Sequence, residues 1–263
     1  MKAIVDWDRD TPQWSAVLAA ANAGGGRDED FAENALWALY APLIQTPRDQ
    51  SYVIGQIGQS LDGRIATASG HSHFINGAAA IVHLHRLRAL VDAVVVGVGT
   101  VIADDPQLTV REARTRPGRA QPARVVLDPA GRIPARAKCL CDDGARRILV
   151  QGAGRPRPHG VEYLEIPESL GAMAPAAILS VLGKVGLHHI LVEGGANTLS
   201  RFVAADCLHR LHILTAPLII GSGPSGIQLA PIDRLEDARR PLVTAFALPG
   251  GDVLFDCIFS TAP

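Results

Sequence analysis

The sequence predicts an α/β protein: a mostly parallel sheet with covering helices, an antiparallel C-terminal hairpin and a short helical N-terminal extension. Three observations carry this reading. From Tyr52 onward, short β-branched runs alternate with helical ones, the pattern of parallel strands joined by helical crossovers. The last stretch, "PLVTAFALPGGDVLFDCIF", is instead two apolar runs around Pro249-Gly250-Gly251, which reads as a hairpin. Residues 14–45 read as two helical pieces ahead of the sheet.

Taken in order, "WSAVLAAANA" and "DEDFAENALWALYAPLI" are those helical pieces, divided by Gly24-Gly25-Gly26. The acidic start of the second suits the positive end of a helix dipole, and Pro47 and Arg48 close the section. The extension is therefore set at residues 1–48 and the sheet domain at 49–263. The sheet domain then runs through "YVIGQIG", "AAAIVHLHRLRAL", "AVVVGVG", "RVVLD", "RRILVQ", "AAILSVLGKV", "HHILVEGG", "NTLSRFVAAD" and "LHILTAPLII". Residues 115–122 and 152–160, rich in Arg, Pro and Gly, read as exposed loops.

Composition narrows the function. Twenty-five basic against 26 acidic residues leave a net charge of −1, which makes no electrostatic case for nucleic acid or an anionic membrane and favours a small-molecule partner. Cys139, Cys141, Cys207 and Cys257 form no C-x-x-C pair, so neither a zinc site nor a disulfide framework is expected. No export signal or long apolar span is present. A cytoplasmic protein with reduced thiols and no metal is the expectation.

In open α/β sheets ligands bind at the carboxyl ends of strands. Four segments stand there: "SLDGRIA", "VGVGTVIADDPQLTVR", "VEGGANTLSR" and "APLIIGSG". The first carries more unusual chemistry than a chain reversal needs, which suggests a lined site. In the third, Glu193-Gly194-Gly195 precedes a helix, so bare backbone and a helix N-terminus can meet an anion; close strand-to-helix packing explains the same glycines. Gly97-Val-Gly99-Thr100 has the same two readings and lacks the third glycine of a Rossmann fingerprint.

If 78–90 is a helix, a turn of about 100° per residue puts Arg88 on the apolar face with Ile81, Leu84 and Leu87, while Arg86 points away. An inward Arg needs a partner. That partner is a ligand carboxylate or phosphate, or else Asp92 or Asp62 in an ion pair, unless the side chain snorkels. Asp104 and Asp105 before a proline also read as a capping turn. His83 and His85 lie about 200° apart on the helix and cannot share a metal. No G-x-S-x-G elbow points to a hydrolase.

The strings "SLDGRIATASG", "HRLRA", "VGVGTVIADDPQLTVR" and "VEGGANTL", in this order, closely resemble the pyrimidine reductase of bacterial riboflavin biosynthesis, usually fused to a zinc deaminase. The resemblance covers about residues 50–260. It implies a dihydrofolate-reductase-like fold, NADPH as hydride donor, reduction of the ribosyl group of 5-amino-6-(5-phosphoribosylamino)uracil, and a homodimer. It also implies that the Asp-Gly-Arg turn lines the cleft. By matched position it assigns Ser72, Arg88, Leu108, Arg111 and Glu193 to the substrate, with the arginines on its phosphate. It assigns Gly58, Phe74, Thr100, Asp104, Gly195, Ala196, Asn197, Thr198, Leu199, Ser200 and Arg201 to NADPH. Asp104 and Glu193 are the expected catalytic residues.

Three departures accompany it. Gln56 stands where the family usually has Lys, removing a cation and a proton donor. Phe74 replaces a usual Trp, keeping an aromatic wall. Asn76 and Gly77 vary the next helix start, with Asn76 expected to cap it. Residues 1–50 contain neither the H-x-E nor the P-C-x-x-C zinc signature, so no deamination is expected of this chain.

Overall fold

Residues 6–25, 35–72, 75–115, 118, 120–166 and 173–259 are described by a computed structural model. The Thr11 hydroxyl accepts from the Trp14 N–H (3.0 Å) and Pro12 follows, so helix α1 (Pro12–Asn22) starts with one orphan donor satisfied. Helix α2 (Ala35–Gln45) is the second predicted piece; residues 28–34 of that prediction lie outside the described residues.

Strand β1 (Tyr52–Ser60) leads through α3 (Ala78–Leu90) to β2 (Ala93–Gly97) and a short α4 (Val98–Asp104). Strands β3 (Ala123–Leu127), β4 (Arg147–Gln151) and β5 (Glu162–Glu165) step outward from β2. Helix α5 (Pro175–Lys184) then returns the chain to β6 (His189–Glu193) between β2 and β1, and α6 (Ala196–Ala204) carries it to β7 (Arg210–Ala216) beyond β1. Strand β9 (Val253–Ile258) pairs antiparallel with β7, and β8 (Leu242–Ala247) pairs antiparallel with β9. The order is β5-β4-β3-β2-β6-β1-β7-β9-β8, parallel from β5 to β7. Chain direction across the sheet reverses around β6 and β1, which opens a crevice at their carboxyl ends.

Both faces of the sheet are covered. Val94 and Val96 of β2 join the core on the α3 face, and Ala93 and Val95 join the core against α5 and α6. On the α3 face a further layer follows, because Trp14, Leu36, Tyr40 and Leu43 of α1 and α2 share the core with Leu87 and Leu90. Arg86, predicted to point away, does leave the sheet but is fully buried under this layer. Its Nη1 and Nη2 donate to the Asp6 (3.0 Å) and Asp8 (2.6 Å) carbonyls, and its guanidinium stacks on Trp14.

Two predicted runs end early for local reasons. "AVVVGVG" stops at Gly97, where a Cβ would lie 2.5 Å from Thr198 Oγ1, and the chain turns into α4. "LHILTAPLII" stops before Pro217, and Ile219 is 75% exposed. Strand β5 has no counterpart in the sequence reading. The predicted hairpin forms, and its outer strand β8 is an edge with Leu242 and Val243 exposed.

Candidate active site

In-register pairing assembles a polar row across the sheet. Gln56 of β1 aligns with Glu193 of β6 on one side and His212 of β7 on the other, and His212 aligns with Asp256 of β9. Aligned residues share a face, here the face covered by α3. Arg88 of α3 descends on Glu193, its Nε donating to Oε1 (2.7 Å) and its Nη2 to Oε2 (2.6 Å), while Nη1 donates to the Thr109 carbonyl (2.9 Å). All three guanidinium nitrogens are thus engaged within the protein. The partner of Arg88 within the protein is Glu193 rather than Asp92 or Asp62. Asp92 meets Arg48 and the His189 N–H, and Asp62 meets the Ile220 and Gly221 N–H groups.

Between the buried ends of this row, Gln56 is 8% exposed and faces a cavity of about 440 Å³. Its amide has no partner among the described residues, so a donor and an acceptor stand ready for a ligand. Ser72, Asn76 and Asp104 complete the polar lining, and Ser72 Oγ donates to Asp104 Oδ1 (3.0 Å). Asn76 does not cap α3; its Nδ2 donates to the Leu214 carbonyl (3.2 Å), and Gly77 is the cap residue, its N–H given to Asp252 (2.7 Å). A Cβ at Gly58 would fall 1.9 Å from Asn76 Oδ1, so Asn76 can cross β1 only over glycine.

The Asp-Gly-Arg turn clamps the stretch that follows β7. Asp62 accepts from the N–H groups of Ile220 (3.0 Å) and Gly221 (2.7 Å) and from Ser60 Oγ (2.6 Å), which together lower its pKa to about 2. Arg64 donates to Gly221 O (3.0 Å), Gly223 O (3.2 Å) and Ser225 Oγ (2.8 Å). From this segment Ile65 reaches the cavity.

A second cavity of about 440 Å³ lies between the β2–α4 and β6–α6 turns and α5. Thr100, Gly195, Ala196, Asn197, Thr198 and Arg201 line it, together with Arg132, which the sequence reading missed. Gly195 adopts φ +51°, and a Cβ there would lie 2.8 Å from Thr100 Oγ1, so the two turns meet backbone to side chain. Leu199 and Ser200 face elsewhere: Leu199 is buried over Gly55, and Ser200 Oγ accepts from the Gln228 N–H (2.8 Å).

Helix α4 supplies Thr100 to this cavity and Asp104 to the first. Beyond it the chain turns through Asp105 (φ 42°) and Leu108 (φ 57°); Leu108 is buried and Arg111 exposed. His85 Nδ1 accepts from the Arg111 N–H (2.8 Å). Burial, then Arg88 and Arg111, push its pKa down to about 3, so the ring is neutral and Nδ1 is free to accept. Phe74 lies outside the described residues.

The profile of the RibD C-terminal domain family matches residues 51–243. A riboflavin biosynthesis protein RibD from Aquifex aeolicus is 35% identical over 183 residues, covering 68% of this chain and 49% of that protein. A 2,5-diamino-6-ribosylamino-4(3H)-pyrimidinone 5′-phosphate reductase from Archaeoglobus fulgidus is 32% identical over 184 residues, covering 66% of this chain and 84% of that protein. The solved structure of Acinetobacter baumannii RibD superposes with a TM-score of 0.71 at 29% identity, over 85% of this chain and 61% of that one. The chain spans about half the length of the bacterial RibD relatives it matches. With the matched profile spanning every element from β1 to β7 and the fold agreeing, this chain belongs to the RibD C-terminal domain family.

Proposed function

We propose that this chain reduces the ribosyl group of 5-amino-6-(5-phosphoribosylamino)uracil to a ribityl chain with NADPH as donor, and that it does not deaminate. The observation that carries the reading is the pair of cavities flanking α4, one lined by amides, a hydroxyl and one carboxylate, the other by guanidinium groups and bare backbone. The first suits a neutral polyhydroxylated chain, and the second fits an anionic dinucleotide. When bound, the nicotinamide supplies the hydride.

The protein's part is binding and orientation. Gln56 offers an N–H to a sugar oxygen, and Asp104, held by Ser72, accepts from a hydroxyl. Glu193 is fixed beside Gln56 by Arg88, and exposed Arg111 is the cation available to a phosphate. Gln56 cannot give up a proton, so the proton that completes the new hydroxyl comes from water or from an acid outside this row. The protein acts as a homodimer, a reading supported by the exposed apolar edge strand β8.

The test is NADPH oxidation by the purified chain with the deaminated phosphoribosylaminopyrimidine, with a Gln56→Lys variant alongside. Turnover by the native chain is expected. Turnover by the variant alone, with NADPH bound by both, would assign the native chain to a different small substrate.

A further inference from the structure

Residues 109–114, between α4 and β3, form no helix or strand, so side chains hold their backbone. From beneath, α3 takes three of its groups: Arg88 Nη1 donates to the Thr109 carbonyl (2.9 Å), and His85 Nδ1 accepts from the N–H groups of Arg111 (2.8 Å) and Glu112 (3.2 Å). From outside, the N-terminal stretch takes the far end. Trp14 Nε1 donates to the Arg114 carbonyl (3.0 Å), and Arg9 forms an ion pair with Glu112. The buried indole is aimed by its surroundings, since the Thr11 cap fixes its backbone and Tyr40 and the Arg86 guanidinium pack on its ring at 5.5 and 5.2 Å. The matched family profile begins at residue 51, so this outer anchor precedes it in the chain.

Arg111 sits in the middle of this segment. Its Nη1 donates to Thr109 Oγ1 (2.5 Å), and the rest of the exposed guanidinium has no hydrogen-bond partner among the described residues. A cation on an irregular segment binds a phosphate well only if the backbone that carries it is already ordered, because ordering it on binding costs affinity. We propose that Trp14 is a positioning residue: by pinning the Arg114 carbonyl, with the Arg9–Glu112 pair beside it, it presents Arg111 to the phosphate of the substrate. The inference rests on the reductase reading, in which Arg111 meets that phosphate, and it gives the N-terminal stretch a part in substrate affinity.

The experiment follows NADPH oxidation with the phosphorylated pyrimidine and with its dephosphorylated form, for the native full chain, Trp14→Phe, Glu112→Gln, Arg111→Gln and the double variant Trp14→Phe/Arg111→Gln. Amide exchange at Arg111 and Glu112 is measured alongside. Trp14→Phe keeps a ring against Tyr40 and removes the N–H donor, and circular dichroism checks its fold. It is expected to speed the exchange and to raise KM for the phosphorylated substrate roughly fivefold, the scale of one hydrogen bond, with kcat and the dephosphorylated substrate unchanged. In the Arg111→Gln background the substitution should add nothing. Glu112→Gln, at a partly exposed side chain, decides the matter if Trp14→Phe does not fold. Weakening the bond to Arg9 should also raise that KM, whereas losing an anion beside Arg111 would lower it through charge alone. A KM raised equally for both substrates, or unchanged or lowered in both variants, overturns the assignment while leaving the reductase reading in place. A native chain that turns over neither substrate overturns both.

Discussion

Gln56 and Arg88 show how differently two buried polar residues on one face can be used. The Gln56 amide faces the cavity with no partner among the described residues, so it adds little to folding and is left for a ligand. Gln56→Leu should therefore leave stability unchanged or raise it by about 1 kcal/mol in urea denaturation, while turnover is lost. Arg88 and Glu193 behave oppositely, since each is the other's compensation. Removing one, as in Arg88→Met or Glu193→Met, should cost about 3–5 kcal/mol because a buried charge is stranded. The double variant should cost much less than the sum, and strict additivity in the denaturation cycle would show that the pair is not coupled.

At the scale of elements, a hydrogen-bond chain joins α2, α3 and β7 and ends at an ion-pair contact with Asp256 of β9, which sets its direction. This carboxylate is held ionised by His212 and Arg210, so it only accepts. His212 therefore turns Nε2–H toward Asp256 (3.3 Å) and accepts at Nδ1 from His83 Nε2 (3.0 Å), leaving His83 Nδ1 to accept from the Tyr40 hydroxyl (2.7 Å). Tyr40→Phe removes the terminal donor and should cost about 1–3 kcal/mol. Burial lowers the pKa of His83 and His212, and that of His85, below the ordinary histidine value. The unfolded chain thus takes up protons below pH ~6.5 that the folded one refuses. Their contribution is complete above that pH and is lost as the pH falls below it, by up to about 1.4 kcal/mol per histidine per pH unit. Stability measured from pH 7.5 to 5 should fall accordingly; a flat profile would mean that the rings are already charged in the folded state. The Asp62 clamp behaves differently. With its folded pKa lowered to about 2, it holds through this range and releases only as the pH falls towards that value. Asp62→Asn should therefore speed amide exchange at Ile220 and Gly221 at neutral pH.

For the whole molecule, the N-terminal helices are part of the core that positions the site. Trp14 Nε1 donates to the Arg114 carbonyl (3.0 Å), Arg210 Nη1 donates to Leu39 O (2.9 Å), and Arg86 is sealed by Asp6 and Asp8. Residues 49–263 expressed alone would expose Arg86, His83 and Leu87 on the outer side of α3. Their soluble yield and cooperative unfolding should collapse relative to the full chain. Recovery of a well-folded fragment would show instead that the sheet domain carries its own stability.

The local patterns were legible because they are local. β-branched runs, the Pro-Gly-Gly hairpin and the glycines before α4 and α6 obey constraints that act within a few residues, and the resemblance carried Ser72, Asp104, Gly58 and the Gly195–Thr198 turn to cavity walls. What the sequence by itself determined was therefore the α/β class, its strands and hairpin, and the neighbourhood of both cavities. The tertiary structure alone decided who pairs with whom. Arg88 finds Glu193 because β6 inserts beside β1, Arg86 is buried because α1 lies over it, and the Glu193–Gln56–His212–Asp256 row exists because four strands far apart in the chain align in one register. Such register is set by packing across the sheet, which no short window of sequence contains.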